Sequence, residues 1–169
     1  AELPAGIVCP AAVGDLNRDG VPDCAVGCRD QHVYALSGID GRILWRYRTG
    51  DSVDQSPVLA DLNRDGVLDC VAVSKDGKAY AISGLDGALI WWRSTGRTQL
   101  RPGLGDMDGD GRPDVFVASW DRWACALSGM DGHVLWRKDV GSAVSVRAFS
   151  DLMDLNGDGA ADVVAGVSG

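Results

Sequence analysis

The feature that most constrains this chain is a nonapeptide, Asp-x-Asx-x-Asp-Gly-x-x-Asp, written four times: Asp15 to Asp23, Asp61 to Asp69, Asp106 to Asp114 and Asp154 to Asp162. The first residues of the copies lie 46, 45 and 48 positions apart. A second pattern keeps the same phase: Tyr34-Ala-Leu-Ser-Gly-Ile-Asp-Gly-Arg-Ile-Leu-Trp45, then Tyr80 to Trp91, then Cys125 to Trp136. Self-similarity at a fixed period means that one unit is stacked on copies of itself, so the fold is decided by what a unit of about 45 residues can be.

In the second copy the unit reads as four short strands: Ser56 to Ala60, Cys70 to Ser74, Lys78 to Ser83 and Leu89 to Ser94. The nonapeptide joins the first two, Lys75 to Gly77 turns between the next two, and Gly84 to Gly87 carries the Asp-Gly of a hairpin. Cys70-Val-Ala-Val-Ser74 is apolar almost throughout, as in a strand covered on both faces. No segment keeps an apolar period of 3.6 residues, so helices should be few. Four antiparallel strands at this period fit the blade of a β-propeller. The expectation is an all-β single domain over residues 1–169, of about three and a half blades, with repeats near 6–50, 51–97, 98–141 and an incomplete 142–169. The last copy should supply a strand at Val163 to Val167, and Ala1 to Gly14 only a first strand.

Each nonapeptide reads as a cation loop. Alternating Asp61, Asn63 and Asp65 point three side-chain oxygens at one centre, Gly66 permits the bend, Val67 offers a carbonyl and Asp69 closes the shell. The matching ligand sets are Asp15, Asn17, Asp19, Val21 and Asp23; Asp106, Asp108, Asp110, Arg112 and Asp114; and Asp154, Asn156, Asp158, Ala160 and Asp162. Oxygen-only ligation suits a hard cation, and calcium, up to four ions, is the expected cofactor. The likeness to an EF-hand loop stops at position 12, where Ala72 stands in place of a bidentate Glu. An Asx-Gly turn alone would not need Asp at position 9.

The net charge of −8 follows from these loops, which hold 13 of the 24 acidic residues. Four divalent ions would neutralise it, and no basic footprint for nucleic acid is present. No apolar run approaches a membrane span. The chain begins at Ala1 without a cationic-apolar leader, as a mature or excised product does. Weak oxygen sites fill where calcium is millimolar, which points to an extracellular or cell-surface setting, or the periplasm. Cys9, Cys24, Cys28, Cys70 and Cys125 include no CxxC pair, so structural zinc is not expected. Cys24 and Cys70 read as small buried residues of an inner strand, and a Cys9–Cys28 disulfide is left open.

The loop between two strands resembles the FG-GAP or VCBS repeats of integrin α-chain propellers and many bacterial surface proteins. The Ala-Leu-Ser-Gly-x-Asp-Gly-x-x-Leu-Trp pattern is similar to the tryptophan docking motif of quinoprotein propellers. That resemblance implies that Trp45, Trp91 and Trp136, with Ala35, Ala81 and Ala126, peg neighbouring blades together. Each turn carries Asp-Gly where quinoproteins usually have Thr-Gly, and 169 residues are few for an eight-bladed quinone enzyme, so quinone is not expected.

Ser37, Ser83 and Ser128 recur as turn residues, and His32 and His133 read as solvated strand-edge residues rather than catalysts. Trp120 and Trp123, flanking Asp121 and Arg122 in a strand-connecting turn, are the candidate ligand surface for a glycan or protein. A ring normally needs at least four blades and exposed edges pair with other chains, so self-association, as a closed oligomer or a filament, is expected over a free monomer. The functional expectation is a non-enzymatic, calcium-binding propeller module with a structural, adhesion or assembly role. The alternatives are the propeller portion of a secreted enzyme, a polysaccharide lyase or quinoprotein, and a carbohydrate-binding module.

Overall fold

A computed structural model of the chain describes residues 6–98, 100–139 and 154–163. Among the described residues twelve strands fall into three sheets of four. The first blade holds β1 (Ala12–Gly14), β2 (Asp23–Gly27), β3 (His32–Leu36) and β4 (Ile43–Arg48). The second holds β5 (Val58–Ala60), β6 (Asp69–Ser74), β7 (Lys78–Ile82) and β8 (Leu89–Ser94). The third holds β9 (Gly103–Gly105), β10 (Asp114–Ala118), β11 (Trp123–Leu127) and β12 (Val134–Asp139). Every pairing is antiparallel and between neighbours in sequence. The fold is all-β, built of propeller-type blades. Among the described residues no helix is long and apolar enough to cross a membrane.

The strand limits follow local chemistry. β5 starts at Val58 rather than Ser56 because Pro57 has no N–H to give to the ladder. β6 starts one residue earlier than expected, at Asp69, and all six of its residues are buried. β7 ends at Ile82, and the Ser83 N–H leaves the ladder to bond Ala88 O at 2.8 Å. The expected strand at Val163 to Val167 lies outside the described residues except for Val163.

Each blade carries a bulge at the same place, between Ala35 and Leu36, Ala81 and Ile82, and Ala126 and Leu127. Just before it, the motif alanine faces the motif tryptophan: Ala35 opposite Trp45, Ala81 opposite Trp91, Ala126 opposite Trp136. A small residue there leaves room for the indole on the sheet.

The core lies between blades. Leu16, Ala25, Val33, Ala35 and Trp45 of the first repeat meet Val53, Cys70, Ala72, Tyr80 and Ile82 of the second. Ala60, Leu62, Val71, Val73, Ala79, Ala81 and Trp91 of the second meet Val115, Val117, Cys125 and Leu127 of the third. Met107, Phe116, Ala118, Ala124 and Ala126 form a third cluster, against which Trp136, Ala161 and Val163 pack. The side chains of β6 alternate between these two interfaces, so the second blade is bonded to both neighbours by opposite faces of one sheet.

The tryptophans tie these interfaces. Trp45 Nε1 donates to Gly84 O at 2.5 Å and Trp91 Nε1 to Gly129 O at 2.7 Å. Each ring also lies against the next glycine of the same turn: a Cβ at Gly87 would meet Trp45 at 2.8 Å, and one at Gly132 would meet Trp91 at 2.7 Å. The expected pegging of neighbouring blades is therefore present at both interfaces.

Candidate metal centre

The four nonapeptides share one hydrogen-bond network. The position 1 carboxylate accepts the position 6 N–H: Gly20 to Asp15 at 2.9 Å, Gly66 to Asp61 at 3.0 Å, Gly111 to Asp106 at 2.8 Å and Gly159 to Asp154 at 2.9 Å. Position 3 accepts the N–H of position 5, as Asn17 from Asp19 at 2.9 Å, Asn63 from Asp65 at 2.8 Å, Asp108 from Asp110 at 3.0 Å and Asn156 from Asp158 at 2.8 Å. Position 5 accepts the N–H of position 7: Val21 at 2.8 Å, Val67 at 2.8 Å, Arg112 at 2.8 Å and Ala160 at 2.9 Å. These nested Asx turns close each loop on itself, and among the described residues three carboxylates come within reach of one another in the third loop, at positions 1, 3 and 9 and without Asp110.

Position 9 has a second task. Asp23, Asp69 and Asp114 are buried, at 0%, 0% and 2% exposure. One oxygen accepts from position 2 of the loop: Leu16 at 3.0 Å, Leu62 at 3.0 Å and Met107 at 2.9 Å. The other accepts from the hairpin glycine: Gly38 at 3.0 Å, Gly84 at 3.3 Å and Gly129 at 3.1 Å. The carboxylate thus staples the loop to the turn that receives the tryptophan. Burial pushes the Asp69 and Asp114 carboxyls up from the ordinary range, against the pull of those N–H donors. In the fourth copy the Asp162 carboxylate accepts Leu155 N–H at 2.9 Å.

The donor set fits a hard cation. In the third loop, carboxylate oxygens of Asp106, Asp108 and Asp114 all lie within 4.8 Å of one another. Oxygens about 2.4 Å from a common calcium ion can be at most about 4.8 Å apart, so the spread suits one ion. This loop alone carries Asp at position 3, where the others have Asn17, Asn63 and Asn156. Arg112 leans on its neighbour, with Nε 3.5 Å from Asp110 Oδ2.

Position 4 was missed by sequence reasoning. Arg18 and Arg64 sit at φ 62° and 60°, a left-handed conformation that costs an L-residue about 1 kcal/mol, while Gly109 and Gly157 hold the same place in the other loops. Both arginines reach to the following loop: Arg18 Nη2 donates to Asp65 O, and Arg64 Nη2 to Gly111 O at 3.0 Å. The only sequence signal was an arginine at a position that the other two copies give to glycine.

Trp120 is 50% exposed in the β10–β11 turn, and Trp123 opens β11. The Arg137 guanidinium stands 4.0 Å over the Trp123 ring, so a cation already occupies one face of it. Ser37, Ser83 and Ser128 close the hairpin turns as expected, their carbonyls accepting Gly41, Gly87 and Gly132 N–H at 2.8, 2.9 and 2.8 Å. His32 and His133 place Nδ1 at 2.9 Å from Asp30 O and 2.7 Å from Asp131 Oδ1. None of the five cysteines is in a disulfide, and Cys9 and Cys28 instead lie near Gly27 O and Gly6 O at 3.8 and 4.0 Å. Burial raises the Cys70 thiol to about 12 and the Cys125 thiol to about 11.

Blade topology, interblade tryptophans and repeated acidic loops define a β-propeller-type repeat protein. Residues 106–165, which span the third and fourth loops, match the family described as FG-GAP-like repeat. No curated protein matches the chain significantly in sequence. Among solved structures it is similar to BamB from Moraxella catarrhalis, with TM-score 0.60 and 18% identity over 79% of this chain and 38% of that one. It is also similar to quinohemoprotein alcohol dehydrogenase from Comamonas testosteroni, with TM-score 0.57 and 16% identity over 79% and 21% of the two chains. The computationally designed Ika4 protein matches with TM-score 0.64 and 14% identity over 97% of this chain and 93% of that one. The chain thus spans well under half the length of the two natural proteins, and at these identities the likeness is one of fold.

Proposed function

We propose that the chain is a calcium-binding, non-enzymatic β-propeller module of an extracellular, cell-surface or periplasmic protein, with a structural role in adhesion or assembly. The observation that carries this reading is the shared network of the four acidic loops, with three carboxylates of the third gathered to calcium-like spacing. When bound, the ion would draw positions 1, 3, 5, 7 and 9 together. This chain's own part is to hold those oxygens in nested turns and, through position 9, to pass the order of the loop to the docking turn. Millimolar calcium outside the cytoplasm would load such sites, each adding about 2.7 kcal/mol when free ion stands at 100 times its dissociation constant.

Thermal melts with added calcium and with EGTA test the reading: the midpoint should rise with calcium, and an unchanged midpoint overturns it. Asp65→Ala should lower the calcium stoichiometry by one in a direct titration, and an undiminished stoichiometry would remove Asp65 from the ligand set. A sugar-binding role for Trp120 and Trp123 is the second reading. Its support is limited to the exposed Trp120, because Arg137 stacks on the other ring.

A further inference from the structure

The two arginines at position 4 stand on the following loop in the same way. The Arg18 guanidinium donates to Asp65 O, with Nη2 3.9 Å from Asp65 Oδ1, and Arg64 Nη2 donates to Gly111 O at 3.0 Å. A Cβ at Gly66 would meet Arg18 Nη2 at 3.3 Å, and one at Gly111 would meet Arg64 Nη2 at 3.6 Å. Position 6 of the receiving loop therefore lies against the guanidinium both times, and donor and acceptor are 47 residues apart both times.

The gripped peptide groups belong to the network that holds the expected ligands. The Asp65–Gly66 peptide gives its C=O to Arg18 and its N–H to Asp61 Oδ2 at 3.0 Å. The Gly111–Arg112 peptide gives its C=O to Arg64 and its N–H to Asp110 Oδ1 at 2.8 Å. Asp61 and Asp110 stand at positions 1 and 5 of their loops. A guanidinium on the carbonyl polarises the peptide and strengthens the N–H bond on its other side. Each arginine thus steadies a carboxylate that an ion in the next loop would need. Its charge also repels an incoming ion, but the Arg18 side chain is 54% exposed, so water screens that repulsion and the bracing dominates.

The donor end is set by its own loop. Arg18 lies between Asn17 and Asp19, and Arg64 between Asn63 and Asp65, the expected ligands at positions 3 and 5. Both arginines are exposed, and their left-handed backbone, at φ 62° and 60°, sets their direction. An ion that draws positions 3 and 5 together fixes the residue between them and so aims its side chain.

We infer that Arg18 and Arg64 link the first three calcium loops in series. An ion in one loop raises the affinity of the next through the arginine, and by linkage the reverse holds to the same degree. The inference rests on the calcium reading above and adds how its sites act on one another. The series stops at the third loop, where Gly109 holds position 4 and has no side chain to send on.

The test is calcium titration of the full chain against a chromophoric chelator. Arg18→Gly and Arg64→Gly suit it, because glycine takes the left-handed backbone freely and only the side chain is lost. Wild type should load the first three loops over a narrower calcium range than independent sites would. Each variant should broaden that range and weaken uptake about fivefold, the low end of coupling between sites, in keeping with exposed contacts. Asp110→Ala removes position 5 of the third loop, and in that background Arg64→Gly should change nothing further. A loss that persists there means that Arg64 acts on its own loop, and it overturns the inference. So does an isotherm that both variants leave unchanged; a lowered urea midpoint in EGTA would then mark the arginines as tethers between blades. A chain that takes up no calcium overturns the calcium reading itself, so the two failures are distinguished.

Discussion

Asp65 and Asp69 are four residues apart in one loop and have different physical roles. The Asp65 carboxylate is exposed and accepts hydrogen bonds only from its own loop, with Arg18 Nη2 3.9 Å from Oδ1, whereas Asp69 is buried and holds Leu62 and Gly84. Asp69→Ala leaves two buried N–H donors unmet and should cost roughly 2–4 kcal/mol even in EGTA. Asp65→Ala should have little effect in EGTA and reduce stability only when calcium is present. Urea titrations of both variants with and without calcium read this difference directly, and equal losses in EGTA would refute the division of roles. The ligand pattern was legible because alternating oxygens and glycine are local chemistry. The staple was not, because Gly84 is fifteen residues away from Asp69 and no local rule reports a tertiary N–H. Arg18 and Arg64 were hidden for a related reason: their left-handed backbone is what propensity assigns to Gly or Asn, and it is kept by a contact with the next repeat.

At the scale of the strand, short apolar runs and turn chemistry placed every β-strand of the second repeat within two residues. Two of the three misses came from Pro57 and from the Ser83 turn, both effects of who can donate an N–H, and the third is the early start of β6 at Asp69. What sequence could not supply is which face of a strand meets which neighbour. Cys24 and Cys70 occupy the same place in the repeat, yet Cys70 is buried and Cys24 is not, because the first blade packs on the second and, among the described residues, no blade packs in that way on the first. Tyr34 and Tyr80 extend from equivalent strands, β3 and β7, and donate to Asp30 at 2.6 Å and Asp76 at 2.5 Å. Burial, with that aspartate bond behind it, pushes Tyr34 up to about 12 and Tyr80 further, and burial also raises Tyr47. A raised folded value stabilises the fold fully below the unfolded tyrosine value of about 10, and the contribution is lost as pH climbs through the folded value. Tyr34 and Tyr80 should therefore stay un-ionised at pH 10 in the native chain and titrate only as it unfolds, while Tyr47 is shifted in the same direction by burial. Absorbance at 295 nm against pH measures this, and half-ionisation near pH 10 with the far-UV spectrum intact would contradict it.

At the scale of the molecule, each blade bears on its sequence neighbours through one apolar sheet face and a few polar ties. Between the second and third blades these include Trp91 to Gly129, Arg64 to Gly111 and the Arg97 N–H to Asp121 at 3.2 Å. Between the first and second they include Trp45 to Gly84, Arg18 to Asp65 and the Gly50 N–H to Asp76 at 3.1 Å. Such a molecule behaves as a short one-dimensional array, in which cooperativity depends on the coupling between neighbours. The Trp91 indole is the largest single piece of the second coupling, and it is 5% exposed. Trp91→Ala should cost about 3–5 kcal/mol by cavity and burial loss. Because that loss falls on the interface rather than inside one sheet, the third blade should then melt before the first two. Denaturation of the variant, followed by both far-UV ellipticity and tryptophan fluorescence, should show two separated transitions where the wild type shows one. A single coincident transition shifted to lower denaturant would mean that apolar contact across the sheets couples the blades without the tryptophan.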